Sequence, residues 1–218
     1  MKTGKLVIFG TGDIAQLANY YFTTDSAFEV VAFCVDEAYR KGDEFEGKPL
    51  VAFEEIERLY PPSAHSMFIA LSYANMNRLR ETKFGQAKEK GYQIASYISS
   101  KCSYLSQYLP GENAFILEDN TVQPFVKIGQ NVTLWSGNHI GHHSEIEDHN
   151  FISSHVVISG HCKINSHCFL GVNSTLAHTV ELASGTLLGA GAIITKNTEE
   201  NSVYVGTRAV KLEKTSDQ

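Results

Sequence analysis

Hydrophobic residues in the second half of the chain recur at every sixth position. Fourteen consecutive positions with this spacing carry only isoleucine, leucine or valine. They are Ile116, Val122, Ile128, Leu134, Ile140, Ile146, Ile152, Ile158, Ile164, Leu170, Leu176, Leu182, Leu188 and Ile194. A period of six matches neither an amphipathic helix nor the alternation of an ordinary strand. It is typical of a parallel β-helix, in which each coil stacks its residues on equivalent residues of the coil below.

The sixfold period also predicts which residues are neighbours. If three hexads close one triangular coil, residues eighteen apart in sequence lie directly above one another. His142 then shares a column with Pro124, Gly160 and His178. A glycine above a histidine leaves an open notch beside the imidazole, which suits a long, thin ligand. A solvated turn histidine is the alternative interpretation of the same residue.

The first half of the chain has a different pattern, in which short apolar runs alternate with helix-like segments. The runs Lys5–Phe9, Val30–Val35 and Ser66–Leu71 predict strands, and Asp13–Phe22 and Asn75–Lys90 predict helices. Strands that alternate with helices indicate a small parallel sheet with helices on its faces. The charges of the second helix are most simply a solvated face.

A glycine-rich turn follows the first of these strands, and two acidic residues follow the second. The residues that we expect to line a shared crevice are Gly10, Thr11, Gly12, Asp13, Asp36 and Glu37. Glycines at a helix N-terminus let the backbone approach a phosphate, and an acid at this distance can bind a ribose or a base. A tight strand–helix turn needs glycines in any case, so the acidic pair is what favours nucleotide binding.

Charge and composition exclude some classes of function. The net charge is −6 and the sequence has no basic stripe, which argues against a nucleic-acid partner. No apolar run is as long as a membrane span, and we expect no signal peptide before the first strand. The four cysteines have no paired spacing, so we expect reduced core residues and a cytoplasmic protein.

Five histidines are spaced six residues apart in the repeat. They are His143, His149, His155, His161 and His167. The eighteen-residue coil predicts that the first stacks with the fourth, and the second with the fifth. A structural zinc site needs convergent ligands, whereas stacked turn residues point outward in parallel. Solvent-facing turns are therefore the favoured interpretation, and no metal is expected.

Two further histidines suggest a metal site of another kind. His142 and His178 are two coils apart in one column, a separation that resembles the gamma-class carbonic anhydrases, which are trimeric β-helices that bind zinc between subunits. In that family the third ligand follows the second histidine by five residues. This position is Ala183 here, so the resemblance fails at the third ligand.

A second resemblance extends over nearly the whole chain. The sequence resembles the NeuD/PglD-type sugar acyltransferases, and the best matching segments are GTGDIA (Gly10–Ala15), VDE (Val35–Glu37), HIGHHSEI (His139–Ile146), CFLGVNS (Cys168–Ser174) and LLGAGA (Leu187–Ala192). The resemblance implies a Rossmann-like α/β domain that binds a nucleotide sugar, at residues 1–98. The resemblance further implies a left-handed parallel β-helix with a polar C-terminal tail at residues 99–218. The resemblance also implies acetyl-CoA-dependent N-acetylation of a nucleotide-linked amino sugar, for surface polysaccharide or glycan synthesis. The resembled enzymes imply a homotrimer.

The same resemblance implies roles for individual residues. His142 matches the catalytic histidine of the family, which is a general base. Gly160 and Ala190 match positions whose backbone amides contact pantetheine. The residues of the glycine-rich turn and the acidic pair match the nucleotide contacts. The family usually has an acid after the catalytic histidine, but this chain has His143. Either another group orients the imidazole, with Asn138 or Glu145 the nearest candidates, or the base is weaker than usual.

The sequence leaves several alternatives open. A sugar O-acetyltransferase would share every feature above, and the nucleotide could be UDP, GDP or dTDP. A metal-dependent hydratase would use His142 and His178 as ligands. A non-catalytic protein that binds sugar nucleotides would keep the glycine-rich turn without any dependence on CoA.

Overall fold

The N-terminal part of the computed structural model, which describes residues 2–211 and 213, is a six-stranded sheet flanked by helices. The strand order is β3–β4–β2–β1–β5–β6, and all neighbours are parallel except the β3–β4 hairpin. The strands are β1 (Gly4–Phe9), β2 (Phe28–Val35), β3 (Glu44–Phe45), β4 (Lys48–Ala52), β5 (Ser66–Ile69) and β6 (Gln93–Ile94). The helices are α1 (Asp13–Thr24), α2 (Ile56–Leu59) and α3 (Arg78–Glu89), with 3-10 turns at Glu37–Tyr39 and Phe53–Glu55. The predicted parallel α/β domain is confirmed.

The remaining strands form a left-handed parallel β-helix, as predicted. They are β7 (Tyr97–Ile98), β8 (Ser103–Tyr104), β9 (Phe115–Ile116), β10 (Thr121–Val122), β11 (Lys127–Ile128), β12 (Thr133–Leu134), β13 (His139–Ile140), β14 (Glu145–Ile146), β15 (Phe151–Ile152), β16 (Val157–Ile158), β17 (Lys163–Ile164), β18 (Phe169–Leu170), β19 (Thr175–Leu176), β20 (Glu181–Leu182), β21 (Leu187–Leu188), β22 (Ile193–Ile194) and β23 (Val203–Tyr204). Thr121 pairs with His139, and His139 with Val157, so each coil has eighteen residues. All fourteen hexad positions lie in one buried cluster, with at most 6% of their surface exposed.

One residue in each hexad has a left-handed backbone conformation, which turns the chain at the corner of the coil. The φ angles of His143, His149, His155, His161 and His167 lie between 56° and 62°. Asparagine, aspartate and histidine are the residues other than glycine that adopt this conformation most readily. The sixfold spacing of the histidines therefore follows from the corner geometry. Because both stacked pairs form, the predicted coil map is also correct in detail.

The β-helix has three faces whose outward residues differ. The charged face (β11, β14, β17 and β20) presents Lys127, Glu145, Lys163 and Glu181. The docked face (β7, β9, β12, β15, β18, β21 and β23) lies against the N-terminal domain. The open face (β8, β10, β13, β16, β19 and β22) presents uncharged and apolar residues, and its Ile193 is 72% exposed.

Aromatic and charged side chains attach the N-terminal domain to the docked face. The ring of Phe115 lies 5.2 Å from that of Phe68 and 5.9 Å from that of Tyr21. The ring of Tyr73 lies 4.4 Å from that of Phe169. The first β-helix strand is β7, which pairs with β9. Tyr97 therefore belongs to the β-helix and not to the sheet of the N-terminal domain.

Helix α3 is the main correction to the sequence-based interpretation, because some of its charged side chains face inward and not into solvent. Arg80 is only 2% exposed and donates hydrogen bonds to Thr133 Oγ1 and to the carbonyl oxygens of Asn131 and Asn150, each at 3.0 Å. Corner carbonyls of the β-helix thus hold a buried cation at the domain interface.

Two further observations bear on the sequence-based expectations. Among the described residues, none of the helices combines the length and the apolar character that crossing a bilayer requires. The tail that we predicted for Lys211–Gln218 lies mostly outside the described residues.

Candidate functional site

The glycine-rich turn lies at the mouth of a cavity of about 260 Å³ in the N-terminal domain. Its lining residues are Phe9, Gly10, Thr11, Gly12, Val35, Asp36, Tyr39, Leu71, Leu79 and Lys83. Four of the six predicted nucleotide-site residues are therefore together. Asp13, in the first turn of α1, is exposed and does not line the cavity. Glu37 is also outside it, because its carboxylate pairs with Arg40 at 2.8 Å.

The two glycines of this turn differ in what they are needed for. Gly10 has a φ of 125°, and a Cβ there would lie 2.7 Å from the carbonyl oxygen of Ala70, so the fold itself requires glycine. Gly12 is the N-cap of α1, and a Cβ there would meet no atom within 4 Å. The space beside Gly12 is open, at the positive end of a helix dipole where anions are stabilised.

Lys83 is a cavity residue that sequence analysis missed. Its Nζ donates to Asp36 Oδ1 at 2.6 Å, and its side chain is only 12% exposed. The ammonium group also lies 5.4 Å from the ring centre of Phe9 and 5.5 Å from that of Phe53. One carboxylate oxygen of Asp36, which we predicted to bind a ribose or a base, is thus held by a lysine from α3. The sequence did not identify Lys83 because it lies in a run of charged residues. Tertiary packing determines which side of α3 faces the cavity.

His142 lies at the corner between the open and charged faces, after β13. Its imidazole covers Gly160, where a Cβ would lie 2.7 Å from His142 Cε1. The backbone N–H of His142 donates to Gln123 Oε1 at 2.8 Å, and the side chain is exposed. The predicted column of His142 and Gly160 is correct, and the glycine is what gives the ring its space.

The side chain that meets His142 is not one of the two that we predicted. Asn138 is buried, donates to the carbonyl of Trp135 at 2.6 Å and accepts from the N–H of Val156 at 2.8 Å. Glu145 accepts from Lys127. Neither residue is hydrogen-bonded to His142. Nδ1 of His142 instead lies 3.1 Å from Nδ1 of His143. His143, which stands where the resembled family usually has an acid, therefore orients the ring.

Gly160 and Ala190 do not come together within one chain. Gly160 follows β16, at the corner between the open and charged faces. Ala190 follows β21, at the corner between the docked and open faces. The open face separates the two predicted pantetheine contacts.

A second histidine cluster lies at the domain interface. The prediction that these histidines lie in solvent-facing turns is therefore wrong for this cluster. His149 is buried, and Nε2 of His167 lies 3.0 Å from Glu81 Oε2 on α3. Nε2 of His149 lies 3.5 Å from the other carboxylate oxygen. Burial alone would raise the pKa of Glu81, but the hydrogen bond to His167 and the two imidazoles lower it overall. The cluster is a contact between domains.

A chain of buried amides determines the tautomer of His149. Asn113 bonds to both the N–H and the carbonyl of Ile69, which fixes the orientation of its amide. Its Nδ2 donates to Asn131 Oδ1 at 2.8 Å, so Nδ2 of Asn131 must face His149 Nδ1, 2.9 Å away. Nδ1 of His149 is therefore an acceptor, and the proton of the neutral ring is on Nε2. Burial also lowers the pKa of His149.

Metal ligation has two candidate groups among the described residues. The ligand atoms of His142, His143 and His161 lie within 4.8 Å of one another, and so do those of Glu81, His149 and His167. The predicted hydratase pair fits less well, because the rings of His142 and His178 are 6.4 Å apart. Ala183, the position of the missing third ligand, follows β20 at a different corner of the coil.

Comparison with known proteins relates this architecture to acetyltransferases. The family described as bacterial transferase hexapeptide (six repeats) matches residues 125–160. The acetyltransferase domain of PglB from Neisseria gonorrhoeae FA1090 has a similar structure, with a TM-score of 0.83, 18% identity, and coverage of 96% of this chain and 100% of that one. A search of curated proteins by sequence finds no significant match.

Two further structures agree over nearly the same length. A mutant of perosamine N-acetyltransferase from Caulobacter crescentus, in complex with CoA and GDP-perosamine, gives a TM-score of 0.79 at 18% identity, covering 93% of this chain and 94% of that one. WeeI from Acinetobacter baumannii AYE gives a TM-score of 0.79 at 20% identity, covering 94% of this chain and 97% of that one. The chain therefore contains bacterial transferase hexapeptide repeats, and its whole fold, a Rossmann-like domain followed by a left-handed β-helix, is that of these acetyltransferase structures.

Proposed function

We propose that the protein transfers the acetyl group of acetyl-CoA to the amine of a nucleotide-linked sugar, with His142 as the general base. The observation that carries this proposal is the exposed imidazole above Gly160, in a fold shared with acetyltransferase structures. One of those structures contains CoA and GDP-perosamine. An amine acceptor on a nucleotide sugar is thus the substrate class that best fits both domains.

The cavity in the N-terminal domain supports nucleotide binding. Gly12 leaves open space at the N-terminus of α1, where a diphosphate can accept hydrogen bonds from backbone N–H groups. Asp36 and Lys83 present an acceptor and a donor side by side in the same cavity. Asp13 and Glu37 lie just outside it, so we assign them to contacts with parts of the substrate that project from the cavity.

The reaction is a direct transfer. The amine attacks the thioester carbonyl carbon, a C–N bond forms and the C–S bond of acetyl-CoA breaks. The neutral imidazole of His142 accepts the proton that the amine loses and returns it to the CoA thiolate, a role worth roughly 10²–10⁴-fold in rate. A backbone N–H near Gly160 stabilises the oxyanion. No covalent intermediate is needed, and the nearby Cys162 is buried in the coil, where desolvation raises the pKa of its thiol.

The positions of the two sites support a homotrimer. The N-terminal domain lies on the docked face, whereas His142 lies at the opposite corner of the triangular coil. A sugar bound in the domain therefore reaches the His142 of a neighbouring chain more readily than its own. The open face, where Val157 and Ile193 are 40% and 72% exposed, separates Gly160 from Ala190. Packing of this face against another copy would give a cleft for acetyl-CoA between subunits.

Free thiols support a reducing compartment for this chemistry. All four cysteines are unpaired, and disulfides are rare in the cytosol. We propose a cytoplasmic location.

The test is a panel of UDP-, GDP- and dTDP-linked amino sugars incubated with acetyl-CoA, with release of the CoA thiol as the signal. Thiol release that depends on the amino sugar, together with an N-acetylated product in the mass spectrum, supports the proposal. Matched sugars with a hydroxyl group in place of the amine test O-acetylation. Binding of sugar nucleotides without thiol release would indicate a binding protein instead.

A further inference from the structure

Three exposed imidazoles converge beside the proposed general base, and acetyl transfer needs only one of them. The ligand atoms of His142, His143 and His161 all lie within 4.8 Å of one another. The side chains of all three residues are exposed. His143 orients the base through the contact between the two Nδ1 atoms, whereas His161 has no assigned role.

The convergence comes from two different columns of the coil. The rings of His143 and His161 are stacked, 4.8 Å apart and within 8° of parallel. Taken alone, such a pair points outward without converging. The ring of His142 lies across it, at 87° to the ring of His143 and 86° to that of His161, with centroids 5.3 and 5.1 Å away. In this arrangement a nitrogen of His142 lies within 4.8 Å of a nitrogen on each ring of the stacked pair.

The spacing of the nitrogens suits a small divalent ion. Zn–N bonds of about 2.0–2.1 Å in tetrahedral geometry separate neighbouring ligand nitrogens by roughly 3.3 Å. The Nδ1 atoms of His142 and His143 are already 3.1 Å apart. The other pairs, at up to 4.8 Å, close to this distance by rotation of exposed side chains.

The backbone fixes the positions from which these side chains extend. His143 and His161 occupy left-handed corner positions with φ of 59° and 56°. The N–H of His161 donates to the carbonyl of His142 at 2.9 Å. A set of imidazoles without carboxylates suits zinc, copper or nickel and not magnesium or calcium.

We propose that His142, His143 and His161 form a binding site for a divalent transition metal, represented by Zn²⁺, and that an ion bound there inhibits acetyl transfer. The inhibitory part rests on the proposed function. A metal–nitrogen bond uses a lone pair of the His142 ring, and it ties that ring to two others. The imidazole can then neither accept the proton of the amine nor approach the thioester. The ion is an inhibitor, and the reaction itself does not require it.

Metal binding is tested directly, without reference to activity. Metal-free protein is titrated with Zn²⁺ in competition with a chromophoric chelator. The informative variant is His161→Asn, because asparagine tolerates the left-handed conformation and His142 stays intact. The matched control is His155→Asn, which changes an exposed histidine with φ of 57° at another corner of the coil.

The expected result is tight binding of Zn²⁺ by the wild type and by the His155→Asn variant. The His161→Asn variant should bind at least tenfold more weakly. Equal binding by the wild type and the His161→Asn variant would move the site elsewhere, for example to Glu81, His149 and His167, and overturn the proposal. Absence of binding by the wild type would overturn it as well.

The inhibitory part is tested with the acetyl-transfer assay. Zn²⁺ should inhibit the wild type and the His155→Asn variant, and a chelator should restore their activity. The His161→Asn variant should retain its activity and lose sensitivity to Zn²⁺. Zinc that binds at these histidines without slowing the wild type would overturn the inhibitory part. If the protein shows no acetyl transfer with any substrate, the proposed function fails while the binding titration still decides the metal site.

Discussion

The imidazole of His142 lies over Gly160 so closely that a methyl group at position 160 would come within 2.7 Å of its Cε1 atom. The two residues are eighteen positions apart, one coil of the β-helix, so this contact follows from the repeat. The glycine supplies both the space for the ring and the notch beside it. The position of the proposed base is therefore encoded in a residue that carries no functional group.

The change Gly160→Ala tests this relationship. The added methyl group forces the imidazole to rotate away, and because the ring is an exposed side chain, the fold can accommodate the change. We expect kcat to fall by up to roughly 10²-fold, the effect of a displacement of about 1 Å at a reacting group, with little change in stability. The control is Gly85→Ala in α3, where a Cβ would meet no atom within 4 Å. Unchanged kcat in the Gly160→Ala variant would show that the ring position is not important.

The change Gly12→Val tests the nucleotide site. A Cβ at this position meets no atom of the protein, so the side chain would occupy only the space that we assign to phosphates. We expect the KM for the sugar nucleotide to rise about tenfold or more, a loss of about 1.4 kcal/mol. The KM for acetyl-CoA should stay nearly constant. If both KM values rise together, or neither does, the glycine-rich turn is only structural.

Arg80 should stabilise the attachment of the two domains. Arg80→Met removes the donors to the carbonyls of Asn131 and Asn150, and buried acceptors that lose a partner are costly. We expect the free energy of unfolding to fall by about 2–3 kcal/mol, measured by denaturant titration. The matched control, Arg78→Met on the same helix, changes a side chain that is 58% exposed. A similar small effect of both changes would contradict a role for the buried arginine.

The interface should weaken in mild acid because of His149. Burial lowers the pKa of His149 in the folded protein, so the unfolded chain binds this proton at higher pH. The stabilising contribution is complete above the ordinary histidine pKa of about 6.5 and is lost as the pH falls toward and through the folded pKa. Glu81, whose pKa is lowered overall, titrates at lower pH.

The measurement is the free energy of unfolding between pH 7 and pH 5. The wild type should lose more stability over this range than a His149→Asn variant, in which asparagine keeps the left-handed corner. The His155→Asn variant, altered at an exposed corner, should follow the wild-type curve. Parallel curves for the wild type and the His149→Asn variant would contradict the assignment of this loss of stability to His149.

The β-helix and its histidine column could be predicted because their causes are local in sequence. A hexad buries one aliphatic residue and turns at one left-handed residue, and every coil repeats that rule. The contact between His142 and Gly160 and the two stacked histidine pairs followed from the period alone. The glycine-rich turn was visible for the same reason, as a short motif between a strand and a helix.

The helix α3 could not be interpreted in this way. Its sequence is a run of charges, and a solvated helix has the same composition. Arg80 is buried because it meets carbonyls of residues 51 and 70 positions further along the chain. Lys83 reaches Asp36 across the sheet, 47 positions away. These partners become visible only when the two domains are packed, and so does the contact of Glu81 with His149 and His167.

The replacement of an acid by His143 gives a prediction about the strength of the base. Nδ1 of His143 lies 3.1 Å from Nδ1 of His142, so a carboxylate at position 143 could accept a hydrogen bond from the Nδ1–H of His142 and stabilise the charged imidazolium. We expect His143→Glu to leave kcat unchanged or to raise it, compared with the uncharged His143→Gln variant. A lower kcat for the glutamate variant than for the glutamine variant would contradict this role.

The central claim is that His142 removes the proton from the attacking amine, and the change His142→Asn tests it most directly. Asparagine keeps part of the size and hydrogen-bonding capacity of the side chain but cannot act as the proton acceptor. With saturating acetyl-CoA and the best sugar nucleotide of the panel, we expect kcat to fall by roughly 10²–10⁴-fold while both KM values change little. A His142→Asn enzyme that keeps most of its kcat would contradict the account, because the amine would then lose its proton without this histidine.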